Sequence, residues 1–256
     1  VETPHTITLD EELEAKLSFS GDPAQNATLV VVPGMGVKPG ESFRKATRSL
    51  RRASRLGFQL NIATFLYPGH RQEPLTDFQD DPAVLAKVMA KLSAIGVRED
   101  RIGFLAICYG AYVLCRYREK HDLGRFAVLV EPMFGYRGLR LPVRLAARIV
   151  FPGLHIVGKP WLWGRKSRVD PGSFHRILCQ PVHLSDLSLP FLAISNQRHE
   201  LVFDRDHLQA ELRGTDCRHE VIDGKRFSGA SVSAYYRLFT EYLKEWVGSK
   251  PEPRAV

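Results

Sequence analysis

A chain of 256 residues with 44% hydrophobic and 25% charged side chains has the make-up of a folded domain with a sizeable core, which excludes a disordered or fibrous protein. Its four cysteines (Cys108, Cys115, Cys179, Cys217) form no CxxC pair, so neither a zinc site nor a disulfide framework is expected. The net charge of +8 invites a polyanionic partner, but no nucleic-acid motif accompanies it, and no nucleic-acid role is expected. No apolar run reaches the length of a membrane span, and no leader-like segment opens the residues given; with the unpaired thiols, this leads to an expectation of a cytoplasmic protein. With no GxGxxG, P-loop or HExxH pattern, no cofactor and no metal are expected.

In chain order, residues 5–20 alternate loosely, as a pair of edge strands does. Thr28 to Val32 is a continuous apolar strand that runs into Pro33-Gly34-Met35-Gly36. Ser42 to Leu56 reads as a helix with a basic outer face, stopped by Gly57, and Phe58 to Phe65 as the next strand. The turn Leu66-Tyr67-Pro68-Gly69-His70 follows, with His70 expected at a pocket rim in a structural role. Asp80-Asp81-Pro82 opens a helix, acidic residues and Pro both suiting its first turn, and Val84, Leu85, Val88, Met89, Leu92 and Ile95 form its inward face. Ile102 to Ile107 and Phe126 to Val130 are further buried strands. Residues 134–186 break this rhythm with bulky apolar and basic residues, among them Trp161 and Trp163. Strand character returns at Leu189–Val202 and Arg218–Ile222, separated by a helix over Asp204–Leu212. A final helix spans Ala230 to Val247 and precedes a polar tail. Strands that alternate with helices describe a mostly parallel sheet.

The organising stretch is Ala106-Ile107-Cys108-Tyr109-Gly110, which lies between the strand Ile102–Ile107 and a helix-forming segment that carries Leu114 and Tyr117 inward. Small residues two places either side of a reactive side chain, at a strand-to-helix turn, make the pattern of a nucleophile elbow. On these residues and on the order of elements around them, the chain resembles the α/β-hydrolase superfamily. Its Cys elbow is similar to those of dienelactone hydrolases and polyhydroxyalkanoate synthases. The resemblance implies an α/β-hydrolase fold with a core at 1–133 and 187–248 and a cap inserted at 134–186; the polar residues 249–256, with two prolines, are expected to be a disordered tail. It assigns the oxyanion-hole N–H groups to Met35 and Tyr109. It implies an ester or thioester substrate, hydrolysed or transferred through an acyl-Cys108 intermediate. The partner is then a small acyl compound, free or carried on a thioester carrier. The cap shelters it from water, and contact of Trp161 and Trp163 with an anionic membrane is the less favoured use of those residues.

The pattern departs from the family in one respect. The base is normally a His after the last strand, and Phe227 stands at that place; no His follows His219. Three readings follow. In one, His199 is the base and Glu131 or Glu200 orients it. In another, Cys108 works with little help, since a thiol at a helix N-terminus ionises readily. In the third, catalysis is lost and the fold binds a ligand or a partner. His219, on its strand, is expected to pack across the sheet.

Overall fold

The apolar runs form the strands of a mixed eight-stranded sheet in the order β1-β2-β4-β3-β5-β6-β9-β10. A computed structural model describes residues 5–19, 21–36, 60–71, 74–76, 78, 80–122, 124–163, 167–196, 204–222 and 229–248. The strands are β1 His5–Asp10, β2 Ala15–Phe19, β3 Ala27–Val32, β4 Leu60–Thr64, β5 Ile102–Ile107, β6 Phe126–Val130, β9 Phe191–Asn196 and β10 Cys217–Ile222. β1–β2 and β2–β4 pair antiparallel, and every other pairing in this sheet is parallel. Of the expected pair of edge strands, only β1 is an edge, because β2 also pairs with β4.

Both faces of the central strands are covered, so their side chains divide by period two rather than into apolar and polar sets. Val30, Val32, Ala127, Leu129 and Ala193 join one core, shared with α1 (Asp81–Ala94) and α2 (Tyr109–Arg118). Leu29, Val128, Val130, Leu192 and Ile194 join the other, closed by Phe239 and Leu243 of the long helix Gly229–Gly248. A Cβ on Gly103 would lie 1.8 Å from the Phe126 ring, so glycine there gives Phe126 its seat, and the ring meets Trp246 at 4.1 Å between centroids. Helix α1 buries Val84, Leu85, Val88, Met89 and Leu92 as the spacing predicts. Ile95 does not join them: it caps the helix C-terminus and is exposed.

Between β6 and β9 the chain leaves the main sheet. It forms α3 (Leu141–Ile156), the antiparallel ribbon β7 (Trp161–Trp163) and β8 (Ser167–Val169), and α4 (Pro171–Leu178). Helix α3 turns Val143, Ala147 and Phe151 inward, and Phe151 meets Trp161 and Phe174 edge-on. Residues 184–187 then pack against the core with Leu184 and Leu187 fully buried, and Arg118 Nε donates to Leu187 O at 2.8 Å. Helix α5 (Arg205–Leu212) follows β9, capped by Asp204, whose carboxylate accepts from the Asp206 and His207 N–H groups; α6 is the helix Gly229–Gly248. The expected helix over 42–56, the first residues of the strand at 58–65, the segment 197–203, the loop 223–228 and the tail 249–256 lie outside the described residues.

Candidate active site

Because β3, β5, β6, β9 and β10 run parallel, the residues after each leave the sheet at one edge, where open α/β sheets bind ligands. Cys108 stands there at the cap position of α2, with φ 51° and ψ −109°. Such a backbone costs roughly 1–3 kcal/mol for a residue with a side chain, so its surroundings must hold it. They do so through three backbone hydrogen bonds. Cys108 N donates to Val130 O at 2.8 Å, and Cys108 O accepts from Ala111 N at 3.1 Å and Met133 N at 3.3 Å.

The small flanking residues have a steric cause. A Cβ on Gly110 would stand 2.3 Å from Val32 O and 2.9 Å from Pro33 O, so only glycine lets the head of α2 approach the end of β3 this closely. Gly34 lies against the elbow from the other side, where an added Cβ would be 3.1 Å from Ile107 O and 3.8 Å from Cys108 Cβ. Ala106 is fully buried. The loop after β3, with Met35 buried, therefore lies beside the turn that carries Cys108 and Tyr109. As the first residue of α2, Tyr109 has a backbone N–H with no acceptor inside its own helix.

Glu131 belongs to the same edge. Ile107 and Val130 are paired across β5 and β6, so Cys108 and Glu131 are the next residues of neighbouring strands. Glu131 is fully buried with φ 50°, and its N–H donates to Ile194 O at 2.7 Å. Of the expected site residues, Cys108, Tyr109, Met35 and Glu131 thus gather at one edge, while His199 and Glu200 lie outside the described residues just beyond the end of β9. His219 is engaged within the sheet, with Nε2 2.9 Å from Ser195 Oγ.

Behind the turn at Cys108 lies a buried polar group that the sequence pattern does not announce. Tyr109 Oη is 2.8 Å from Asp81 Oδ2 and 3.1 Å from Phe78 O, and His70 Nε2 is 3.2 Å from the same carboxylate oxygen. His70 does not line a rim: it is buried, with its ring centroid 4.7 Å from Tyr67, 4.9 Å from Phe78 and 5.6 Å from Tyr109. Burial pushes the Asp81 carboxyl above its ordinary value, partly offset by His70 and Tyr109. Burial, reinforced by Asp81, pushes the Tyr109 and Tyr67 phenols well up, so both keep their protons. Tyr109 Oη is the donor in both contacts and shares its one proton between Asp81 Oδ2 and Phe78 O, with the nearer carboxylate oxygen as the main acceptor. Asp80-Asp81-Pro82 reads in sequence only as a helix start.

Cys108 is itself buried, 6% exposed. Cys115 lies fully buried inside α2, and burial pushes its thiol far above the ordinary range. Cys179 is exposed at the end of α4, with Sγ 3.6 Å from His175 Nε2, whose Nδ1 is 2.7 Å from Tyr136 Oη. A groove of about 740 Å³ lined by Phe78, Ala83, Ala86, Tyr112, Arg116 and Gln180 runs between α1, α2 and the end of α4, and Cys108 is not among its lining residues. Among the described residues, no cluster of His, Cys, Asp and Glu has the arrangement of a metal site.

No family model matches the chain, and no curated protein does. Solved structures are similar in fold. The esterase Est1E from Butyrivibrio proteoclasticus aligns over 96% of this chain and 99% of its own, with 12% identity and a TM-score of 0.64. An esterase from the bacterial hormone-sensitive lipase family aligns over 94% of this chain and 84% of its own, with 14% identity and a TM-score of 0.59. An esterase from Pyrococcus furiosus aligns over 96% and 90%, with 13% identity and a TM-score of 0.59. The chain has the α/β-hydrolase fold.

Proposed function

We propose that this protein is an ester- or thioester-processing enzyme in which Cys108 is the nucleophile. The observation that carries the reading is the backbone of Cys108, held at φ 51° and ψ −109° at the head of α2 by an approach that only Gly110 permits. That turn lifts one side chain out of the strand and points it over a helix N-terminus. The similar folds of esterases support the choice of substrate class.

In the proposed reaction the Cys108 thiolate adds to an acyl carbonyl. The oxyanion that forms is held by the Met35 and Tyr109 N–H groups, donors aimed at charge that exists only on the tetrahedral intermediate. Its collapse breaks the C–O or C–S bond and releases an alcohol or thiol, which takes up a proton and leaves acyl-Cys108. Water, or an acceptor alcohol, amine or thiol, then adds to the acyl carbon and loses a proton, and the thiolate departs. His199 moves these protons, oriented by Glu131 or Glu200. The residues of 134–186 cover the acyl group and exclude water.

The test is intact-mass analysis of the full chain after incubation with acyl thioesters and p-nitrophenyl esters, beside Cys108→Ala and Cys179→Ser. The second variant is needed because exposed Cys179 can take acyl groups without any elbow. The expected result is an adduct present in wild type and Cys179→Ser, absent in Cys108→Ala, and mapped to Cys108. Turnover unchanged in Cys108→Ala would falsify the proposal. A folded wild type that forms neither adduct nor product across the panel would instead favour a fold retained for binding.

A further inference from the structure

Helix α3 is apolar on two opposite faces. At 100° per residue, Val143, Ala147, Phe151 and Leu154 fall on one side and Leu141, Leu145, Ile149 and Ile156 on the other. Of the first set, Val143, Ala147 and Phe151 pack on the core. The second is exposed: Leu141 is 58% exposed, Leu145 52%, Ile149 75% and Ile156 83%. Four large aliphatic side chains in line on one surface ridge are what a soluble helix normally avoids. Arg148 lies beside this ridge, its guanidinium carbon 5.4 Å from the Tyr136 ring centroid, and Arg144 and Arg140 precede it at four-residue spacing, stepping round the helix towards its inward side.

The distribution of charge points to the partner. Residues 132–169 contain eight of the chain's 36 Lys and Arg and none of its 28 Asp and Glu. The remaining 28 basic and 28 acidic residues cancel, so the net charge of +8 resides in this segment. A second copy seated on the same ridge would bring two all-basic segments together, which like-charge repulsion opposes. An anionic lipid surface answers both features, since acyl chains accept the aliphatic ridge and headgroups accept the arginines. At 16 residues α3 is about 24 Å long, and no described helix is long and apolar enough to cross a membrane, so the fitting geometry is a helix lying in the interface.

We propose that the exposed face of α3 docks this protein on the surface of an anionic bilayer. Trp161 of the ribbon is not the anchor, because it is half-buried against Phe151 at 5.0 Å. The docking stands independently of the reaction at Cys108, and its test uses no turnover.

The experiment is sedimentation of the full chain with vesicles of phosphatidylcholine alone and with roughly 30 mol% phosphatidylglycerol. Expected is binding at least about tenfold tighter to the anionic vesicles, lost in about 0.5 M salt. Leu145→Glu/Ile149→Glu lowers that binding by at least about tenfold while the melting temperature stays close to wild type, both positions being exposed. Arg140→Gln/Arg148→Gln weakens it roughly thirtyfold. The lipid and salt series on wild type needs no variant, so the proposal remains testable if a variant fails to fold. Equal binding to both vesicles, no binding to either, or binding unchanged in both variants overturns it. A concentration-dependent dimer abolished by Leu145→Glu/Ile149→Glu, without vesicle binding, also overturns it and assigns the ridge to a second copy.

Discussion

Gly110→Ala adds one methyl group to the head of α2, and two effects of opposite sign compete. Helix propensity favours Ala over Gly by roughly 1 kcal/mol. Against it, the new Cβ would stand 2.3 Å from Val32 O and 2.9 Å from Pro33 O, both backbone atoms of a buried central strand and its exit. An ordinary carbon–oxygen contact is about 3.3 Å, so the head of α2 must retreat about 1 Å from the end of β3. Overpacking of this kind costs typically 1–3 kcal/mol, and the upper end applies because backbone rather than a flexible side chain must yield. The net loss is about 2 kcal/mol, which for a domain of this size lowers the melting temperature by roughly 4–8 °C. The same retreat separates Tyr109 and Cys108 from Met35, and a displacement of about 1 Å at a reacting centre can cost about a hundredfold. The assays are thermal unfolding followed by circular dichroism, and kcat/KM on an activated ester that wild type hydrolyses. Gly153 is the control: it lies in α3 with nothing within 4 Å of an added Cβ, so Gly153→Ala should be neutral or slightly stabilising. A Gly110→Ala protein that melts within about 2 °C of wild type would show that the approach of α2 to β3 is not the constraint described.

Asp81 should make stability pH-dependent in a defined direction. Its folded-state pKa is raised by burial, so its contribution is fully present below the unfolded value of about 3.9 and is lost as pH rises through the folded value. Wild type should therefore lose stability relative to Asp81→Asn as pH is raised from about 4 towards neutrality; a constant difference in melting temperature across that range refutes it. The thiols should separate under native alkylation read by mass spectrometry. Exposed Cys179 should react in minutes and fully buried Cys115 only on unfolding, and early labelling of Cys115 would contradict the packing of α2.

The strands and the strand-to-helix turn at Cys108 were legible because each has a local cause. Ile102 to Ile107 is apolar throughout because both faces of β5 are covered, and Gly110 is glycine because of one close backbone approach. What escaped depends on long-range encounters. Asp81 and Tyr109 are 28 residues apart and meet only because α1 and α2 lie side by side, so no spacing rule brings them together. His70 likewise reads as a loop histidine until Tyr67, Phe78 and Tyr109 close around it. Ile95 shows a limit of helical periodicity: its spacing continues the inward stripe, but the helix ends at Ala94 and the stripe ends with it. In α3 the apolar residues could be counted from sequence, yet which of them face water follows only from where Phe151 is packed.

The two cysteines of α2 and its cap, Cys115 and Cys108, bear directly on what Cys108 is for. A structural cysteine acts as a small hydrophobe and needs no special backbone. Cys115 fits that description, being fully buried mid-helix in ordinary geometry. Cys108 has φ 51°, beside a second residue, Glu131, at φ 50° on the neighbouring strand. Positive φ is not confined to this edge, since Glu14 (45°) and Ser188 (48°) share it. But Ser188 has the ordinary left-handed ψ of 35° whereas Cys108 has ψ −109°, and strain of roughly 1–3 kcal/mol there gives the fold no stability. Instead the two positions carry a thiol and a carboxyl at the edge where parallel sheets bind ligands, backed by a buried Asp81–Tyr109 contact that fixes the side chain of the residue after the thiol. The strain at Cys108 is better explained as the cost of presenting its thiol than as a consequence of packing, and this is why the reading favours chemistry at Cys108 over an inert core thiol.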